Sequence, residues 1–157
     1  MSKNKIRDSL PYLILVALAM LMVCYICRHG FMYGSTTDWI SQSSVIPDYF
    51  RQKFYETGNF LPDFALNLGA GQNIYYFSYY GLFNPIILIS YLLPSIAMTT
   101  YIQSASIIVA IISACLCYHW LRSKEFSYSV SLVAAVCFLF AGPVLFHSHR
   151  QIMFVNY

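Results

Sequence analysis

The sequence predicts an all-α polytopic integral membrane protein, with about three transmembrane helices and one interfacial, membrane-dipping segment. Composition is the first observation: 59% of residues are hydrophobic and 10% charged, against roughly 25% charged in a soluble domain. The mean hydropathy of +0.58 agrees. The second is the presence of apolar runs long enough to cross a bilayer, from Leu10 to Cys27 and from Thr99 to Leu121. The third is that polarity is gathered rather than spread. Four of the six acidic residues, Asp38, Asp48, Glu56 and Asp63, fall between Gly34 and Asn84. The 14 Tyr and 12 Phe suit membrane–water boundaries, where rings with a polar edge collect. A net charge of +3 with scattered basic residues presents no phosphate-tracking surface, so nucleic acid is not an expected partner.

Residues 1–9 form a short basic tail carrying Lys3, Lys5 and Arg7. Residues 10–27 follow as the first span, since about 18 apolar residues cross a core of about 30 Å. No small-x-small cleavage site follows the run, and Met22 and Val23 are too bulky for a lipoprotein site at Cys24. The run therefore reads as an uncleaved multi-pass anchor in the cell membrane, with the N-terminus cytoplasmic by the positive-inside rule. Cys24-x-x-Cys27 has redox or zinc spacing, but no second pair lies nearby. The five cysteines read as small apolar residues of membrane helices.

Residues 28–98 are then an outer loop. Val45, Ile46, Tyr49, Phe50 and Phe54, with Asp48, Arg51, Gln52 and Lys53 between them, have the spacing of a helix lying along the membrane surface. Thr57-Gly58-Asn59 reads as its stop. Asn67 to Asn73 is a glycine-punctuated loop whose backbone suits close approach to a ligand. Tyr75, Tyr76, Phe77, Tyr79 and Tyr80 form an aromatic belt, read as interfacial anchors.

The stretch 81–94 is open to two readings, because its apolar core from Ile86 to Leu93 is short and bracketed by Pro85 and Pro94. If it spans, Arg122 and Lys124 fall outside the cell. If it dips, residues 99–121 are the second span and those cations are cytoplasmic, which the positive-inside rule favours. Residues 127–146 are the third expected span, with Gly142-Pro143 as a tolerable kink. Residues 147–157 begin a second outer loop. The apolar ending Phe154-Val155-Asn156-Tyr157 leads us to expect a longer parent protein.

Asp38 follows the first span closely, where a carboxylate can act as a general base or a metal ligand on a membrane-anchored substrate. Around it stand Asp38-x-x-x-Gln42, Ile46-Pro47, Leu66-x-x-Gly69-x-Gly71-x-Asn73, Tyr79-Tyr80 and Asn84-Pro85. The basic break at Arg122 to Lys124 and the closing Arg150-Gln151-x-Met153-x-x-Asn156 complete the series. In this order the set resembles the start of YfhO-family bacterial membrane proteins, which are similar to the GT-C glycosyltransferase superfamily. The resemblance covers nearly the whole chain. Family members are several times longer, so the chain corresponds to a GT-C-like N-terminal region, expected to be inactive alone.

The resemblance implies transfer of a hexosyl or N-acetylhexosaminyl group from a polyprenyl-phosphate donor to a cell-envelope polymer such as lipoteichoic acid. Asp38 would be the catalytic base, or a ligand of an assisting divalent metal; no other cofactor is implied. Two departures stand out. The family often has glycine before this acid, whereas here it is Thr37, and the second outer loop offers Asn156 where many GT-C enzymes carry a second carboxylate. A lipid phosphate beside hydrocarbon needs cations, and Arg51, Lys53 and Arg150 are the candidates. Gln42 and Asn73 either hydrogen-bond sugar hydroxyls or brace the loop. His147-x-His149 has a metal-like look that an interfacial segment explains equally well.

The competing reading is a non-catalytic membrane component, a transporter or a glycolipid-translocation accessory. A transporter concentrates polar groups inside its spans, and this chain offers mainly Gln103 and Ser113 there. The topology is directly testable with single cysteines in a chain lacking the native ones. Ser95→Cys is expected to react with an impermeant maleimide on intact cells and Ser123→Cys is not. The opposite pattern makes 81–94 a span.

Overall fold

The computed structural model describes residues 3–28, 33–34, 38–61 and 64–145, with side chains from residue 8 onward. The chain is mostly helical and divides into two compact units.

The first unit contains α1 (Lys3–Cys27), the part of α4 (Met98–Ser123) from Ser106 onward, α5 (Tyr128–Leu139) and α6 (Gly142–Leu145). Two of these helices are long and apolar enough to cross a membrane. The apolar part of α1, Asp8–Cys27, has 20 residues and α4 has 26, against about 20 needed at 1.5 Å per residue. Only 17% and 22% of their apolar windows are buried, unlike the core helix of a soluble domain. Leu13, Leu21, Ile112, Leu116 and Val133 instead face outward.

What these helices do bury is a face of residues four apart, which a helix brings onto one side. Leu15 and Ala19 of α1, Ala114 and Tyr118 of α4, and Ala135 and Leu139 of α5 form one cluster. Alanine at one of each pair lets the backbones come close, the packing device that helices use where water supplies no hydrophobic drive. Tyr12 packs edge-on against Tyr118 with ring centroids 5.3 Å apart. Its hydroxyl lies 3.3 Å from His119 Nδ1. The start of α1 thus lies beside the end of α4, and within this unit the two run antiparallel. The turn to α5 is tight. Glu125 takes a left-handed φ of 64°, Arg122 Nη1 donates to the Phe126 carbonyl, and Ser127 caps α5 by accepting from the Val130 N–H.

The span expected at 127–146 differs. α5 stops after 12 residues, about 18 Å of helix, and α6 adds four residues after a break. Pro143 favours a break here. It has no N–H for the Leu139 carbonyl four residues back, and its ring would collide with that carbonyl. Among the described residues, two helices reach membrane length.

The second unit runs from Gly34 to Ala105. A π-helical turn, Trp39–Ser43, leads into α2, Val45–Thr57. Ser44 closes the turn twice on the Trp39 carbonyl, from its N–H at 3.1 Å and its Oγ at 2.9 Å. α2 ends where its sequence says it must: Gly58 adopts φ 70° and donates to the Phe54 carbonyl at 2.7 Å, a left-handed cap that suits glycine. A hairpin follows, β1 (Phe64–Ala65) pairing antiparallel with β2 (Gln72–Asn73). The glycine loop, expected to offer its backbone to a ligand, serves this hairpin. Gly69, Ala70 and Gly71 all have positive φ, and a Cβ at Gly69 would meet the Gln72 amide at 2.7 Å.

A 3₁₀ segment, Ile74–Tyr80, then leads to α3 (Pro85–Ile89) and a further 3₁₀ turn, Ser90–Leu92. Asn84 caps α3 by accepting from the Ile86 N–H at 2.9 Å, with Pro85 in the first position, where no N–H is needed. These eight helical residues are far too short to cross about 30 Å. Two cores hold the unit. Trp39, Ile87, Tyr91, Met98 and Ile102 form one; Ile46, Phe50, Ala65, Ile74 and Leu82 form the other.

Arg51, expected as a phosphate cation, is instead 6% exposed. Its guanidinium pairs with Asp48 at 2.7 Å and donates to the carbonyls of Ile96 at 2.9 Å and Leu93 at 3.4 Å. It fastens α2 to the segment that precedes α4. Arg51→Met keeps the stem and removes all three contacts, so about 2–3 kcal/mol of stability should be lost. Thermal unfolding in detergent checks this, and an unchanged midpoint would show the brace to be idle.

Candidate functional site

Asp38 stands at the entry to the π-helical turn, with helical φ and ψ of −67° and −27°. The next residue, Trp39, is buried in the first core and holds the turn in place. Asp38 itself is exposed and its side chain makes no capping bond. The other acids of this unit that are described are occupied. Asp48 holds Arg51 and also accepts from Gln52 Nε2 at 2.7 Å. Glu56 holds Lys53 at 2.6 Å. Among the described acids of this unit, Asp38 is the one that forms no ion pair with a described residue.

Gln42 lies one turn further along, and its Oε1 accepts a hydrogen bond from the Tyr80 hydroxyl. That contact closes 38 residues of chain. Tyr80 packs against Tyr79 with ring centroids 4.2 Å apart. Its hydroxyl pKa is pushed up to about 12, chiefly by burial, then by the Tyr79 hydrogen bond and charge, with the Asp38 carboxylate adding to it. The structure thus brings Asp38, Gln42 and Tyr80 into one neighbourhood. Tyr80 reads in the sequence as an anchor. Its pairing with Gln42 depends on how the hairpin folds back, which no local pattern encodes.

Tyr79 continues the neighbourhood into an open cleft of about 450 Å³, lined also by Ser78, Gly81, Phe83, Asn84 and Pro85. Exposed rings of this kind, 59% exposed for Tyr79 and 54% for Phe83, offer flat apolar faces beside amide and hydroxyl groups. That mixture suits the alternating C–H faces and hydroxyl edges of a sugar.

The remaining candidates separate. Asn73 accepts from the Tyr75 N–H at 2.9 Å and caps the 3₁₀ segment, which makes it a loop brace. Lys53 sits 5.6 Å from the Tyr49 ring centroid, and its pKa is raised mainly by the hydrogen bond to Glu56. It lines a separate cleft of about 300 Å³ with Tyr49, Asn59, Phe64 and Leu66. Arg150, His147 and His149 lie outside the described residues. Among the described residues no three His, Cys, Asp or Glu side chains gather, so a three-ligand metal set is not formed by them.

No protein-family model matches the chain, and no curated protein or solved structure matches it.

The Tyr80 contact has a pH signature. A tyrosine whose pKa is raised by folding contributes its full stability below its ordinary pKa, near 10, and loses it as pH climbs through about 12. Tyr80→Phe should therefore cost about 1 kcal/mol near neutrality. The wild type should lose that advantage above pH 10, with one fewer late-titrating phenol in the variant's absorbance. Identical alkaline unfolding curves would remove Tyr80 from the site.

Proposed function

We propose that this chain is the membrane-embedded start of a GT-C-like glycosyltransferase. In this reading α1 and α4 cross the bilayer, and residues 28–98 between them form an outer loop, with 81–94 dipping rather than crossing. The antiparallel run of α1 and α4 supports it. A chain that goes out through α1 and back through α4 places Arg122 and Lys124 on the same side as the basic tail, as the positive-inside rule prefers. The exposed apolar residues Phe60, Leu61, Leu66 and Tyr76 suit contact with the bilayer surface.

The observation that carries the chemical reading is Asp38: exposed, unpaired among described residues, and flanked by the Gln42–Tyr80 pair. The acceptor hydroxyl oxygen attacks the anomeric carbon as the bond from that carbon to the phosphate oxygen breaks. Polyprenyl phosphate leaves with the electron pair, and the hydroxyl proton passes to the Asp38 carboxylate. Gln42 keeps its amide N–H₂ to donate to a sugar hydroxyl, since Tyr80 engages only its oxygen. The neutral Tyr80 hydroxyl fixes that amide. Tyr79 offers its face to the ring. For the donor phosphate the cation is Lys53 or Arg150 rather than Arg51, whose charge is spent inside the fold.

Asp38→Asn preserves shape and removes the base. In the protein in its native membrane it should reduce sugar transfer to the envelope polymer by about 10²–10⁴-fold, at unchanged protein level. Normal glycosylation in that variant would assign the chain to the non-catalytic alternative.

A further inference from the structure

A third cleft lies wholly within the first unit, at the end where α1 begins and α4 finishes. It measures about 560 Å³ and is lined by Asp8, Tyr12, Tyr118, Arg122 and Tyr128. This is a volume typical of small-molecule sites, and its lining is not that of a packing defect. The Tyr12 and Tyr118 rings meet at 86° and the Tyr118 and Tyr128 rings at 81°, with centroids 5.3 and 6.4 Å apart. Three rings set nearly at right angles make an aromatic corner. The Asp8 carboxylate and the Arg122 guanidinium line the same cleft.

Aromatic faces and a carboxylate attract an ammonium group, and a guanidinium matches a phosphate. A ligand satisfying both carries a cation and a phosphate joined by a short linker. The carboxylate and the tyrosine hydroxyls can accept hydrogen bonds, which a primary ammonium donates and a quaternary one does not. Position narrows the source. Asp8 stands two residues before the apolar run of α1, and Arg122 stands one residue after that of α4. Both charges therefore fall at the depth of lipid head groups if these helices cross a bilayer. Arg122 donates to the Phe126 carbonyl and to the Tyr118 hydroxyl, and a guanidinium has five N–H groups.

We propose that this cleft binds the head group of phosphatidylethanolamine, with the ammonium in the tyrosine corner against Asp8 and the phosphate on Arg122. The inference rests on reading α1 and α4 as membrane helices, and is independent of any chemistry at Asp38.

The test reconstitutes the whole chain with phosphatidylethanolamine, phosphatidylcholine or phosphatidylglycerol and measures retained lipid by native mass spectrometry. Phosphatidylethanolamine should be held with about tenfold preference over phosphatidylglycerol. Asp8→Asn and Arg122→Gln should each abolish that preference. Both residues are exposed, so helix content by circular dichroism should be unchanged, and Glu125→Gln, on the adjoining turn, should leave retention intact. Equal retention of the three lipids overturns the proposal. So does loss of binding on Arg122→Gln alone with Asp8→Asn silent, which marks a simple anionic-phosphate site. Release of the chain from membranes by alkaline carbonate would overturn the membrane reading and this inference together. Retention in the membrane without lipid selectivity overturns this inference alone.

Discussion

A buried guanidinium governs the polar half of this protein. Arg51 is nearly sealed from solvent, yet it reaches Asp48 on its own helix and two carbonyls more than 40 residues away. A charge in such a place is tolerable only when its hydrogen bonds are met. Meeting them forces α2 against the segment ahead of α4. Once α2 is pinned, Phe50 and Ile46 reach the core that holds the hairpin, and the π-helical turn before α2 is anchored by Trp39. The exposed position of Asp38 follows from that chain of constraints.

The charged residues that are described in the second unit divide between structure and surface accordingly. Asp48 and Glu56 are neutralised within one turn of helix by Arg51 and Lys53. Asp38 sits one step outside this arrangement, in a region where a tyrosine is held neutral and an amide is oriented by it. Rigid neighbours and an uncommitted carboxylate are what a general base requires. The aromatic cleft beginning at Tyr79 opens beside the Tyr79–Tyr80 pair.

Much of this architecture is legible in the sequence because its causes are local. Apolar runs marked the apolar parts of α1 and α4 to within a few residues, and Gly58 marked the end of α2, because only a residue free to take positive φ closes a helix so cheaply. Other features depend on distant partners. Nothing within reach of Arg51 in the sequence shows that it will be buried against Leu93 and Ile96. The Tyr80–Gln42 bond, too, exists only after the hairpin folds. The third expected span shows a different limit: Gly142-Pro143 reads as a tolerable kink, and the structure has a break there between α5 and α6.

That residue has a consequence for the surroundings of the first unit. α5 is about 12 Å shorter than the hydrocarbon thickness of about 30 Å, and Pro143 offers no donor to the Leu139 carbonyl. Lipid cannot hydrate a carbonyl, so an α5 seated in a bilayer needs water or neighbouring protein beside its last turn. Local thinning of the lipid relieves the same mismatch. If α5 lies in a bilayer, this short helix is a place where the lipid would thin to meet it.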